Sequence, residues 1–213
     1  MTFYAGIDVG GTHVSGVCID KNLSMVKGGR VELPEKRNKS IVLNEISNLI
    51  DELFGGEKIS GIGIGVPGPV KDGVMFWSCN NKFLENTDFS KVLGKWCKNV
   101  SVDNDVNCMA FGEMAESKVK NLVAVTLGTG VGGGIIIDGK PHNTRPYAGE
   151  VGHMTIDPHG IRCTCGARGC FQEYVSIRGV GILSRKYFSE IIAPDKLYDM
   201  AKKGDRDAIH LWE

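Results

Sequence analysis

The chain has 213 residues, 42% hydrophobic and 23% charged, the make-up of a soluble globular protein with room for one large domain or two small ones. Lys plus Arg and Asp plus Glu each number 25, so the formal charge is zero and a nucleic-acid surface, which needs clustered positive charge, is not expected. No apolar run reaches membrane-span length, the N-terminal residues lack a signal peptide's basic start and apolar core, and an odd count of seven cysteines fits a reducing, cytoplasmic setting better than a disulfide framework.

In chain order, residues 3–9 read as a strand, Gly10-Gly11-Thr12 as a turn, Val14–Ile19 as a second strand, and Met25–Leu33 as a third. Ile41, Leu43, Ile46, Leu49, Ile50, Leu53 and Phe54 recur at helical spacing over 40–54, with Gly55-Gly56 as the stop. Ile59–Val66 is a buried-type strand ending at Pro67-Gly68-Pro69. A helix over 88–97 presents Phe89, Val92, Leu93 and Trp96 on one face. Val100–Val102 is a short strand, followed by Asp103-Asn104-Asp105 and a helix through Ser117. Leu122–Leu127 is a strand, Gly128 to Gly134 a turn, and Ile135–Ile137 a strand again. Helices are predicted over about 176–189, 195–203 and from 205 onward.

The strand, glycine turn and strand at 3–19 and again at 122–137 form a weak internal repeat. Asp8-x-Gly10-Gly11-Thr12 and Gly128-Thr129-Gly130-x-Gly132-Gly133-Gly134 have two readings. Either each is a tight hairpin turn, or their backbone N–H groups and the Thr12 hydroxyl cradle a polyphosphate. Finding two such turns favours the second reading. Asp8 beside a phosphate requires an intervening Mg²⁺ or water. Neither turn is a Walker loop, which needs Gly-Lys-Ser/Thr, or a dinucleotide fingerprint, which needs a following helix.

His153 and Cys163-x-Cys165-Gly-x-x-Gly-Cys170 place one imidazole and three thiolates within eighteen residues, enough for a closed tetrahedral zinc shell. Gly166 and Gly169 suit the tight loop that wraps thiolates around one ion. Asp105 follows a strand and opens a helix. On residue pattern alone it N-caps that helix; a carboxylate there can also serve as a general base.

Together these segments resemble the ROK family: Asp8-x-Gly-Gly-Thr, Gly65-Val-Pro-Gly-Pro69, Asn104-Asp105-x-Asn107, Gly128-Thr-Gly-x-Gly-Gly-Gly134, Glu150-Val-Gly-His153 and the cysteine loop occur in that family's order. The resemblance covers essentially the whole chain, and the family contains bacterial sugar kinases and sugar-responsive repressors. It implies an α/β, actin-like (ribonuclease-H-like) fold of two domains around a cleft, divided here as 1–104 and 105–213. It also implies ATP-dependent transfer to a hexose or N-acetylhexosamine, at its 6-hydroxyl, with Asp105 as base, Mg²⁺ and structural zinc. Asp8, Gly10, Gly11, Thr12, Gly128, Thr129, Gly130, Gly132 and Gly133 are the implied nucleotide contacts. Gly68, Asn80, Asn104, Asp105, Glu150 and His153 are the implied sugar contacts, in a dimeric or tetrameric homo-oligomer.

Some residues depart from that family's pattern. Gln172 stands where the family places a sugar-binding glutamate, so either its amide or the neighbouring Glu173 takes that contact. His13 replaces the usual lysine after Gly-Gly-Thr, and Lys82–Glu85 lacks the familiar Leu-Pro-Gly-Trp. The ending at Leu211-Trp212-Glu213, where family members continue, implies a second domain cut short, and a sugar-binding fragment is one alternative. The other is the sensing part of a repressor, against which the glycine turn at residue 8 leaves no room for a preceding helix-turn-helix.

Overall fold

The computed structural model describes residues 2–78, 81–142 and 148–213. A first sheet is built from β1 (Phe3–Val9), β2 (His13–Asp20), β3 (Met25–Glu32), β4 (Ile59–Val66) and β8 (Val100–Asn104), in the order β3-β2-β1-β4-β8. Strands β1, β2 and β3 pair antiparallel, whereas β1, β4 and β8 run parallel. Strand β1 is central, so alternate residues Ala5, Ile7 and Val9 are buried.

Helix α1 (Lys39–Phe54) covers this sheet with Val42, Ile46, Leu49, Ile50, Leu53 and Phe54, which recur every three or four residues. Its ends are chemically determined. Asn38 accepts from the Ile41 N–H at 3.0 Å, and Gly55 closes the helix at φ 55°. Leu49 and Leu53 seat over Gly16 and Gly29, where any Cβ would collide with their methyls. A small antiparallel sheet that the sequence did not announce is made by β5 (Val70–Lys71), β6 (Val74–Met75) and β7 (Thr87–Asp88). Two-residue strands carry too little periodicity to be read. The helix expected over 88–97 is shorter, α2 (Phe89–Leu93), because the chain breaks at Gly94; Trp96 still packs on the core and donates to Asp51 at 2.8 Å.

Helix α3 (Asp105–Ser117) leads into β9 (Leu122–Leu127), β10 (Val131–Ile137) and β11 (Lys140–Pro141), a three-stranded antiparallel sheet in the order β11-β10-β9. The predicted turn over 128–134 is shorter than expected. Val131 pairs with Leu127 and Gly132 with Thr126, so Gly132, Gly133 and Gly134 are strand residues. Gly132 and Gly134 are crowded by α3, and Gly133 by the Gly149 carbonyl and Val151. A Cβ on Gly134 would fall 2.7 Å from the Val106 carbonyl and 2.9 Å from the Ala110 methyl. Gly134→Ala is therefore expected to destabilise the fold by roughly 1–3 kcal/mol through overpacking, measured as a lower urea midpoint at unchanged slope.

The C-terminal part carries α4 (Gln172–Val175), α5 (Ile177–Phe188), α6 (Pro194–Lys202) and α7 (Arg206–Trp212). Val180, Ile192 and Leu197 form a second, smaller core there, apart from the main one on the first sheet. Among the described residues no helix is long and apolar enough to cross a membrane.

Candidate active site

Strands β1, β4 and β8 are parallel and end on the same edge of their sheet, the usual place for ligands in such sheets. Beyond that edge lie Gly10-Gly11-Thr12, Pro67-Gly68-Pro69 and Asn104-Asp105. The β9–β10 turn faces them, and a cleft of about 490 Å³ is lined by both glycine turns, Gly68, Asn104, Asp105, Glu150, His153 and Gln172. Its volume is that of a small-molecule site.

The two turns correspond. Four residues, Gly10–His13, link the paired residues Val9 and Val14, and three, Gly128–Gly130, link the paired residues Leu127 and Val131. Among the described residues the backbone N–H groups of Gly11, Thr12, Thr129 and Gly130 make no hydrogen bond. Four unused donors facing one cleft are suited to an anion. Gly132 and Gly133 also line the cleft, although their lack of side chains answers first to α3, β9 and Val151. Asp8 and Gly10 stand behind the wall instead of in it. The Asp8 carboxylate, exposed yet raised by desolvation with His13 opposing, has no hydrogen-bond partner among the described residues. An unpartnered carboxylate beside an anion cradle fits a hard cation.

Asn104, not Asp105, caps α3. Its Oδ1 accepts from the N–H groups of Val106 at 3.0 Å and Asn107 at 3.2 Å, while its Nδ2 donates to Asp105 Oδ1 at 2.8 Å. Asp105 Oδ1 also accepts from Val106 N–H at 2.9 Å, and Oδ2 has no hydrogen-bond partner among the described residues. Desolvation, the largest cause, raises the Asp105 carboxyl to about 6; the Asp8 and Glu150 charges push the same way, against the Val106 and Asn104 hydrogen bonds. A carboxylate raised toward neutrality in a cleft is the state a general base requires. The negative field reaches Cys108, whose thiol is pushed up to about 12 by desolvation first and then by Asp103, Asp105 and Asp8.

The ligand atoms of His153, Cys163, Cys165 and Cys170 all lie within 4.8 Å of one another. Cys163 Sγ is 3.8 Å from His153 Nδ1, and the sulfurs of Cys165 and Cys170 are 3.7 Å apart. A zinc–sulfur bond of about 2.3 Å gives a tetrahedral edge of about 3.8 Å, so the donor set fits zinc in both type and spacing. Gly166 and Gly169 adopt φ 97° and 65°, and a Cβ on Gly169 would run into the Asp157 carbonyl. With Nδ1 toward the sulfurs, His153 turns Nε2 toward Glu150 Oε2 at 3.9 Å. The Glu150 carboxyl is itself raised by desolvation, with His153 lowering it. This loop thereby carries two polar groups into the cleft.

Gln172 lines the cleft, and its Nε2 donates to Cys163 Sγ at 3.2 Å and to Glu173 Oε1 at 3.3 Å. Glu173 does not reach the cleft. It is 1% exposed and ion-paired with Arg178 at 2.6 Å. Of the two residues expected at the sugar, Gln172 lines the cleft and Glu173 does not. Asn80 lies outside the described residues, but Asn81 is buried against the cleft, its N–H donating to Ser78 Oγ at 3.1 Å. Arg37, Trp77, Ser78 and Thr126 also line it and were not foreseen. No spacing marks them; Arg37 is hidden in the charged run Glu35-Lys36-Arg37.

A five-stranded mixed sheet and a second strand–turn–strand unit, each offering a glycine turn to one cleft, define the actin-like, ribonuclease-H-like ATPase fold. The glucose- and AMPPNP-bound ROK glucokinase of Streptomyces griseus superposes with a TM-score of 0.78 at 25% identity, over 98% of this chain and 74% of that one. The ROK family profile matches residues 4–213, and the chain belongs to that family. It is 32% identical to the glucokinase of Thermotoga maritima, over 96% of this chain and 71% of that protein. To the N-acetyl-D-glucosamine kinase of Haemophilus influenzae it is 30% identical, over 97% of this chain and 73% of that protein.

Proposed function

We propose that this chain is an ATP-dependent sugar kinase acting on the 6-hydroxyl of a hexose or N-acetylhexosamine. The observation that carries the reading is the convergence of two glycine turns with unused N–H groups and a raised carboxylate, Asp105, on one cleft. Similarity to glucokinases and N-acetyl-D-glucosamine kinases supports the substrate class.

Phosphoryl transfer asks the protein for alignment, charge neutralisation and a proton acceptor. Gly11, Thr12, Thr129 and Gly130 hold the phosphate chain. Asn104, Glu150, His153 and Gln172 offer both donors and acceptors, as a ring of sugar hydroxyls needs. As the sugar oxygen bonds to the γ-phosphorus, its proton passes to Asp105, and the electron pair of the broken bond leaves on the ADP oxygen. Asp8 is the residue to hold Mg²⁺, which when bound neutralises phosphate charge. Zinc, held by His153 and the three cysteines, orients rather than reacts.

The reading includes two lobes divided near residues 104 and 105, a cytoplasmic setting and self-association. Val123, Val125 and Leu127 leave an apolar row exposed on β9 that association would cover. The test is ADP release with Mg²⁺-ATP across a panel of hexoses and amino sugars. Turnover is expected with a 6-hydroxyl sugar and not with its 6-deoxy analogue; absence of sugar-dependent ADP release across the panel would sink the proposal.

A further inference from the structure

Arg37 lies on the loop between β3 and α1, one residue before the Asn38 cap. Among the described residues lining the cleft it carries the one permanent positive charge. The other ionisable groups there are the Asp105 and Glu150 carboxylates and the His153 imidazole. Its loop is tied to the first glycine turn, because Leu33 N–H donates to the Thr12 carbonyl at 2.8 Å.

The guanidinium is poorly satisfied. Its Nη1 reaches the carbonyls of Pro34 at 3.3 Å and Glu35 at 3.4 Å, and no carboxylate pairs with it among the described residues. Its Nε is buried with no hydrogen-bond partner among the described residues, and Nη2 makes no hydrogen bond there either. A guanidinium on the cleft wall with donors left unpaired is suited to an anionic acceptor in the cleft. A planar fork of guanidinium donors matches two oxygens of one phosphoryl group, which a sugar hydroxyl cannot offer.

We propose that Arg37 is a further catalytic residue that grips the phosphoryl group in transit, first as the terminal phosphate of the donor and then as the phosphate of the product. The inference rests on the phosphoryl-transfer reading above. The group's non-bridging oxygens stay anionic while the bond to the leaving oxygen breaks and the bond to the sugar oxygen forms. In a cleft whose other ionisable groups are two carboxylates and an imidazole, Arg37 offsets that charge on both sides of the step.

The test compares wild type, Arg37→Ala, Arg37→Gln and Arg37→Lys in the full chain, with thermal melts as a folding control. Arg37→Ala is expected to lose on the order of 10²–10³-fold in kcat/KM. Its affinity for glucose 6-phosphate should fall at least tenfold while affinity for glucose stays within about threefold. Guanidinium ion at millimolar concentration should restore part of the turnover of Arg37→Ala, which a purely structural role would not allow. Arg37→Lys should recover some phosphate affinity without the full rate, and Arg37→Gln serves if the alanine variant fails to fold. Turnover and glucose 6-phosphate affinity within about threefold of wild type in the alanine and glutamine variants overturn the proposal. A wild type that binds glucose 6-phosphate through Arg37 but turns over no sugar sinks the kinase reading and leaves Arg37 standing. A wild type that turns over sugar equally well without Arg37 does the reverse.

Discussion

Asp105→Asn is expected to lower kcat by on the order of 10²–10⁴-fold, the usual worth of a positioned general base, while sugar affinity changes little. Asparagine fills the same space and can still accept the Val106 N–H, but it cannot take the hydroxyl proton. Because the Asp105 carboxyl is raised to about 6, wild-type kcat/KM should fall as the pH drops through that value, and the limb should be absent from the residual activity of the variant. The same shift predicts an opposite effect on stability. The folded state binds this proton more tightly than an unfolded chain titrating near 3.8, so the contribution to stability is fully present below 3.8 and lost as the pH rises through about 6. At neutral pH the wild type therefore carries the cost of an ionised, desolvated carboxylate, on the order of 1–3 kcal/mol. Asp105→Asn should melt a few degrees higher at pH 7, with the difference vanishing near pH 4. A variant that keeps its activity, or one that melts lower at neutral pH with intact packing, would contradict this account.

Metal loss should have the second large effect. The four donors bring the β10 side of the cleft, the loop at 153–170 and the start of α4 to one point, with little apolar core of their own. Structural zinc contributes about 10–16 kcal/mol of apparent binding energy in small zinc domains, comparable with the whole stability of a typical protein at about 5–15 kcal/mol. One zinc per chain is expected by elemental analysis, together with a fall in Tm of about 10 °C or more after chelation or in Cys165→Ser. Sugar binding should vanish in the same samples, since His153 is a ligand and Gln172 hangs from Cys163 by its amide. Purified protein without metal, melting indifferently to chelator, would refute the site.

Much of this could be read from the chain because local chemistry and final structure agree there. Strands β4 and β9 were found at their true limits, as continuous or alternating apolar runs bounded by turn residues. Helix α1 announced itself through its period and its glycine stop. The metal cluster was legible for a simpler reason: four good ligands in a short loop have few other uses.

Where side chains point, and at what distance, was decided elsewhere. Pattern alone made Asp105 a helix cap, but the main cap is Asn104, and among the described residues one Asp105 oxygen has no hydrogen-bond partner. Gln172 and Glu173 are neighbours in sequence, yet one lines the cleft and the other is buried and held by its ion pair with Arg178. The run Gly132 to Gly134 looked like a turn and is strand, with glycine required by the close approach of α3 at Gly132 and Gly134 and of Gly149 and Val151 at Gly133. Arg37 gave no signal at all, because its place on the cleft wall, with no carboxylate partner among the described residues, depends on contacts across long sequence separations. The chain thus determined its elements, its cluster of metal-type donors and its glycine turns through short-range spacing and backbone freedom. Only the tertiary structure decided which charges share one low-dielectric cleft, since burial and pairing depend on contacts between segments that sequence spacing does not encode.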